Sequence, residues 1–179
     1  VRAHAATLLS GSGDSGANAV SKLVGLLADR KRVVRASAES ALLIIGASNP
    51  DPILDAVDDR LPHVRAAAIR ILAEFPELSE QSIPIVLPLL DDEHHEVSKA
   101  AISTLGELRA HVAIPALVSL TNHSAIRTRI SALRALSKMG HAAQPSLRSI
   151  LPNLWNKQIG VRLQAEETIV AMIRSGDES

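Results

Sequence analysis

The chain has 179 residues, 19 Lys plus Arg against 19 Asp plus Glu, and no cysteine. Zero net charge gives no global attraction to nucleic acid or an anionic membrane, and the missing cysteine excludes disulfides, thiol catalysis and cysteine-ligated metal sites. Apolar residues make up 46% and aromatics only 1%, which suits thin helices in close contact, while no apolar run approaches the roughly 20 residues of a membrane span.

The first predicted element, VRAHAATLLSG from Val1, is an amphipathic helix with nothing before it to pair with. Gly11-Ser12-Gly13-Asp14-Ser15-Gly16 follows. It satisfies G-x-G-x-x-G, but a dinucleotide fingerprint follows a strand, and this run follows a helix. Its Gly13-Asp14-Ser15-Gly16 also matches the nucleophile segment of trypsin-like proteases, whose chemistry needs a β-barrel-held His and oxyanion hole. Both readings yield to a loop between helices. Next come Leu23 and Leu27, four apart on one helical face, the polar turn Asp29-Arg30-Lys31, and VRASAESALLIIG from Val34.

The same pair returns. Ile53 and Val57 precede VRAAAIRILAEF from Val64; Val86 and Leu90 precede VSKAAISTLGEL from Val97. Leu117 and Thr121 precede TRISALRALSKMG from Thr128; Ile150 and Leu154 precede VRLQAEETIVAMI from Val161. Breakers separate the pairs: Gly46-Ala47-Ser48-Asn49-Pro50, Pro76-Glu77 and Gly140-His141. The anchors 1, 34, 64, 97, 128 and 161 are spaced by 33, 30, 33, 31 and 33 residues. Apolar or small residues stand at each anchor and four, seven, eight and eleven places on, one face of a 3.6-residue period. In the third copy they are Val64, Ala68, Ile71, Leu72 and Phe75. Each unit is therefore helix A, turn, helix B, too thin to bury its own stripe and stable only when stacked. The expected fold is all-α: a right-handed α-solenoid of about five hairpins plus a leading half repeat.

The Val-Arg-x-x-Ala-x-x-Ala-Leu-x-x-Leu-Gly pattern resembles the HEAT repeat. The resemblance spans a half repeat at 1–11 and repeats at 17–46, 50–76, 81–109, 112–140 and 143–174. It implies a ladder of Asp near the end of helix A and Arg near the start of helix B, here Asp29 with Arg35 and Asp59 with Arg65. Asp92 faces Ser98, and Arg129 and Arg162 have His123 and Asn156 at the Asp place, so the ladder is expected to decay. Pro84, Pro115 and Pro145 match helix-A prolines of the first turn, while Pro88 and Pro152 sit deeper and predict kinks. Because the chain opens within a helix B, it is expected to be a piece of a longer chain or to meet another chain at that edge.

Most HEAT proteins are non-catalytic scaffolds, and helix B usually lines the concave face. That implies a protein or peptide partner held by positions six and ten after each anchor: Ser40, Arg70, Glu74, Ser103, Glu107, Arg134, Lys138 and Glu167, with Ile44 and Ala171 among them. Trp155 is expected to pack over the last unit rather than to act as an interface hot spot. No catalytic residue, cofactor or metal is expected. His4, His63, His94, His95, His111, His123 and His141 supply only one His-Glu dipeptide, His95-Glu96, whereas deoxyhypusine hydroxylase, a HEAT-like enzyme, binds iron through several. Between Asp51 and Glu96 there are 11 acidic and 3 basic residues, with mildly basic stretches on either side. A continuous phosphate-tracking groove and stacking aromatics are absent, which disfavours a nucleic-acid role. A phycobilisome-lyase-like enzyme or enzyme subunit and a nucleic-acid-binding protein are the alternatives; a cytoplasmic location is the expectation.

Overall fold

A computed structural model describes residues 16–174. The leading half repeat, His4, the loop reading before Gly16 and the tail after Arg174 lie outside the described residues. The chain falls into two compact units that divide between Ala100 and Ala101.

The described residues are helical and contain no strand. In the first unit, α1 (Gly16–Leu26) is followed by α2 (Arg32–Ile45), and α3 (Asp51–Asp55) by α4 (Pro62–Leu72). α5 (Ser79–Val86) precedes α6 (His95–Glu107), within which the division falls. The second unit adds α7 (Ile114–Leu120), α8 (Ile126–Met139), α9 (Leu147–Ile150) and α10 (Ile159–Arg174). Odd numbers are the A helices and even numbers the B helices, the tandem helix pairs of the α-solenoid class.

The periodicity of the sequence reappears as burial. Val34, Val64, Val97, Thr128 and Val161 are all buried, and so is the alanine four places on: Ala38, Ala68, Ala101, Ala132 and Ala165. A methyl group at that place removes apolar surface from water while keeping neighbouring backbones close. On the A side, Leu23, Leu27, Ile53, Val57, Val86, Leu90, Leu117 and Ile150 are buried as well. The closest approach in the second unit is at Gly106 of α6, where an added Cβ would stand 2.8 Å from the Cα of Ala135 in α8. Gly140 closes α8 at φ 54°, ψ −128°, a conformation that only glycine adopts without strain.

The prolines act differently from expectation. Pro115 sits at the start of α7, as a first-turn proline should. Pro84 is inside α5, and Pro145 lies in a 3-10 segment, Gly140–Ser146, before α9. Pro88 and Pro152 do not leave a bent α-helix behind. They open 3-10 segments, Leu87–Asp91 and Leu151–Trp155, that complete the A helices. A 3-10 turn advances with period three rather than 3.6. From Ile150 the next inward place is therefore Asn153, which is buried, while Leu154 is only half buried.

Candidate binding surface

Each helix B is set in place by the turn before it. The side chains of Asp29, Asp59, Asp92 and Asn156 accept the backbone N–H two residues on, at Lys31, Leu61, His94 and Gln158, over 2.7–3.1 Å. His123 does the same through Nδ1, 3.0 Å from the Ala125 nitrogen. Such a side-chain turn closes the loop without a partner from elsewhere. An arginine in the first turn of helix B then donates back to the main chain. Nη1 of Arg35, Arg65, Arg129 and Arg162 lies 2.8–2.9 Å from the carbonyl oxygens of Asp29, Asp59, His123 and Asn156. Arg65 also spans to the next turn, its Nε and Nη2 meeting the Asp92 carboxylate at 2.9–3.1 Å. This pair is largely shielded from solvent, with side-chain exposures of 12% and 7%. Burial raises the pKa of Asp92, but the His94 N–H and the bonds and charge of Arg65 outweigh it and hold the carboxyl below its ordinary value.

With the B helices placed this way, the sequence-predicted row reaches solvent. In the first unit Ser40, Arg70 and Glu74 are exposed; in the second Ser103, Glu107, Arg134 and Glu167 are exposed and Lys138 is half buried. The structure brings some of them together. Lys138 Nζ pairs with Glu107, both ten places after their anchors. Gln164 Nε2 donates to Glu167 over 2.9 Å. Arg70 pairs with Glu39, which lies outside the predicted row, at 3.0 Å from Nε. Ile44 joins the row as an exposed apolar side chain and Ala171 is half buried.

A cleft of about 270 Å³ lies in the first unit at the start of its B helices, lined by Arg32 and Arg35 with Glu39, His63, Arg70 and Glu96 among others. Sequence reasoning singled out only Arg70 there for binding. Arg35 was assigned to the ladder, and neither Arg32 nor His63 bears a pattern that would mark it.

The family model of HEAT repeats matches residues 50–137. Residues 50–137 are HEAT repeats. No curated protein matches the sequence. Among solved structures the CpcE–CpcF complex of phycocyanin lyase from Nostoc sp. PCC7120 is similar at TM-score 0.68 and 19% identity, covering 85% of this chain and 64% of that one. A designed armadillo repeat protein in complex with the peptide (KR)4 is similar at 0.66 and 19%, covering 95% and 91%. An engineered protein is similar at 0.63 and 21%, covering 98% and 89%. At these identities the likeness is one of fold.

Within the HEAT frame two expectations need correction. The Arg of each repeat does not bind the side chain of the Asp six places earlier; it binds that residue's carbonyl oxygen, and the carboxylate is spent on closing the turn. The ladder link that does form, Arg65 to Asp92, joins residues 27 apart. Nor does the turn decay at His123 and Asn156, because closing it requires only an acceptor, which imidazole and amide both supply. Trp155 is also not packed over the last repeat. It is 77% exposed, since the 3-10 segment turns Asn153 inward and leaves Trp155 outside. Of the described histidines, His94, His95, His111, His123 and His141 are exposed and His63 is half buried. Among the described residues no three His, Asp or Glu gather as a metal-holding group, and no helix is long and apolar enough to cross a membrane.

Proposed function

We propose that this protein is a non-catalytic interaction scaffold that binds a protein or peptide partner through the exposed helix-B positions, with a cytoplasmic location. The observation that carries the reading is the recurrence of charged side chains at equivalent, solvent-reaching places on successive B helices. Arg134 and Glu74 have no hydrogen-bond or ion-pair partner among the described residues, and Arg70 spends its charge on a half-exposed pair. Exposed charges contribute little to stability. Their repetition at one register suits recognition by several small polar contacts. The similarity to a designed armadillo repeat protein solved with a peptide supports the same reading.

The test is affinity capture on the whole chain followed by charge reversal. Arg70→Glu and Arg134→Glu are each expected to lower retention of a captured partner several-fold while circular dichroism and the urea midpoint stay unchanged. Complexes that survive both reversals would remove this surface from consideration. A second reading, a lyase-type enzyme subunit, is favoured by the likeness to phycocyanin lyase; stoichiometric bound pigment in the absorbance spectrum of the purified protein would support it.

A further inference from the structure

Arg35 and Arg65 begin alike, and only one of them is finished. Both donate from Nη1 to a carbonyl six residues back. Arg65 then closes its Nε–Nη2 edge on the Asp92 carboxylate. The same edge of Arg35 has no protein acceptor among the described residues, although Arg35 lines the cleft of the first unit. The spacing differs at this point: the anchors Val34 and Val64 are 30 apart, against 33 between Val64 and Val97. The acceptor place that should serve Arg35, Asp59, is thus 24 residues on rather than 27. Arg32 and His63 line the same cleft, and neither has a partner among the described residues.

We infer that this cleft receives an acidic side chain, Asp or Glu, of a partner protein, with the open edge of Arg35 as its fork-shaped receptor and Arg32 as a second cation. The neighbouring Arg65–Asp92 pair shows what chemistry an arginine held in this way accepts, since a planar guanidinium meets a carboxylate with two parallel bonds. The remaining lining narrows the partner. Glu96 stands on the cleft and has no partner among the described residues, and Glu39 is tied to Arg70. The stretch from Asp51 to Glu96 carries 11 acidic residues against 3 basic. That field repels a polyanion and favours a carboxylate flanked by Lys or Arg. The inference rests on the scaffold reading and names the partner's chemistry at one place.

The experiment is an NMR titration of the whole chain, following backbone amides and arginine Nε–H signals, with the probe acetyl-Lys-Asp-Lys-amide. Saturable shifts confined to Arg32, Arg35, His63 and Arg70 are expected, absent with acetyl-Lys-Asn-Lys-amide. Arg32→Glu, at an exposed position that carries no structural bond, is expected to weaken binding roughly fivefold or more. Equal shifts with the Asn peptide, or no shifts with either, would overturn the assignment. Inorganic phosphate producing the same shifts at lower concentration would overturn it too, as a site for anions in general. The outcome separates from that of the broader proposal. Cleft shifts together with a captured partner indifferent to Arg70→Glu and Arg134→Glu would keep the cleft and discard the row; loss of the partner in Arg134→Glu with no cleft shifts would do the reverse.

Discussion

Arg65 and Arg129 hold the same place in their repeats, and each lies 27 residues before the acceptor of the following turn. Arg65 meets a carboxylate there and is fully engaged. Arg129 has Asn156 at that place, and its Nε is buried without a partner. Both still donate from Nη1 to their own turn. The difference teaches that the arginine serves two separable purposes: bracing the turn, which needs only main-chain oxygen, and tying successive repeats, which needs a carboxylate. One position was kept for both in the first unit and for only one in the second.

The apolar register beneath the two joints should be common to both. Leu72 and Leu105, each eight places after its anchor, are fully buried, one in each unit. Replacing either by Ala removes buried surface and leaves a cavity, so each is expected to cost about 2–5 kcal/mol in urea melts. Near-zero change at either position would mean that the two units do not share the helix-B register.

The Arg65–Asp92 joint is the next effect in size. Asp92→Asn leaves a guanidinium, largely shielded from solvent, without its counter-charge, while the amide oxygen retains the turn bond to His94. A loss of about 1–3 kcal/mol at neutral pH is expected, the range for hydrogen bonds to charged groups. The pH dependence has a definite sign. Because the carboxyl is held below its unfolded value of 3.8, its contribution is present above that value and lost as pH falls through it. The native chain should therefore destabilise below about pH 4 more steeply than Asp92→Asn, as read from urea midpoints at pH 7, 5 and 3.

These contrasts also mark what the sequence discloses. Burial follows periodicity, so the helix-B stripes, the alanine at the fourth place and the A-helix leucines were legible from spacing alone. The local pitch of helix A was not. Pro152 changes the period from 3.6 to three, which moves Asn153 inward and Trp155 out, and a pattern read with one fixed period misses that. The joints were only half legible. Residue identity distinguishes Asp from His and Asn as charges, yet the turn asks only for an acceptor at the right reach, and the three are equivalent there. The charged row was legible as positions on a helix face. The cleft beside it was not, because it arises where the repeat spacing shortens and an arginine edge loses its acceptor.

The smallest expected effect is the most discriminating. Asn156→Asp places in the second unit the carboxylate that the first already has. In Asp92, Oδ1 accepts the turn N–H of His94 while Oδ2 takes Nε of Arg65. In Asn156, Oδ1 accepts the turn N–H of Gln158. An aspartate would keep that bond and offer its second oxygen to the buried Nε of Arg129, satisfying a donor whose isolation is costly. A gain of about 0.5–1.5 kcal/mol is expected at pH 7. It should vanish as pH falls below the ordinary aspartate value of about 4, since only the ionised carboxylate pairs with Arg129. Urea midpoints of Asn156→Asp and the native chain at pH 7 and pH 3 measure both parts. A variant no more stable than the native chain at pH 7 would show that equal spacing does not make the two joints equivalent, and that the carboxylate link depends on more of the first unit than the pair itself.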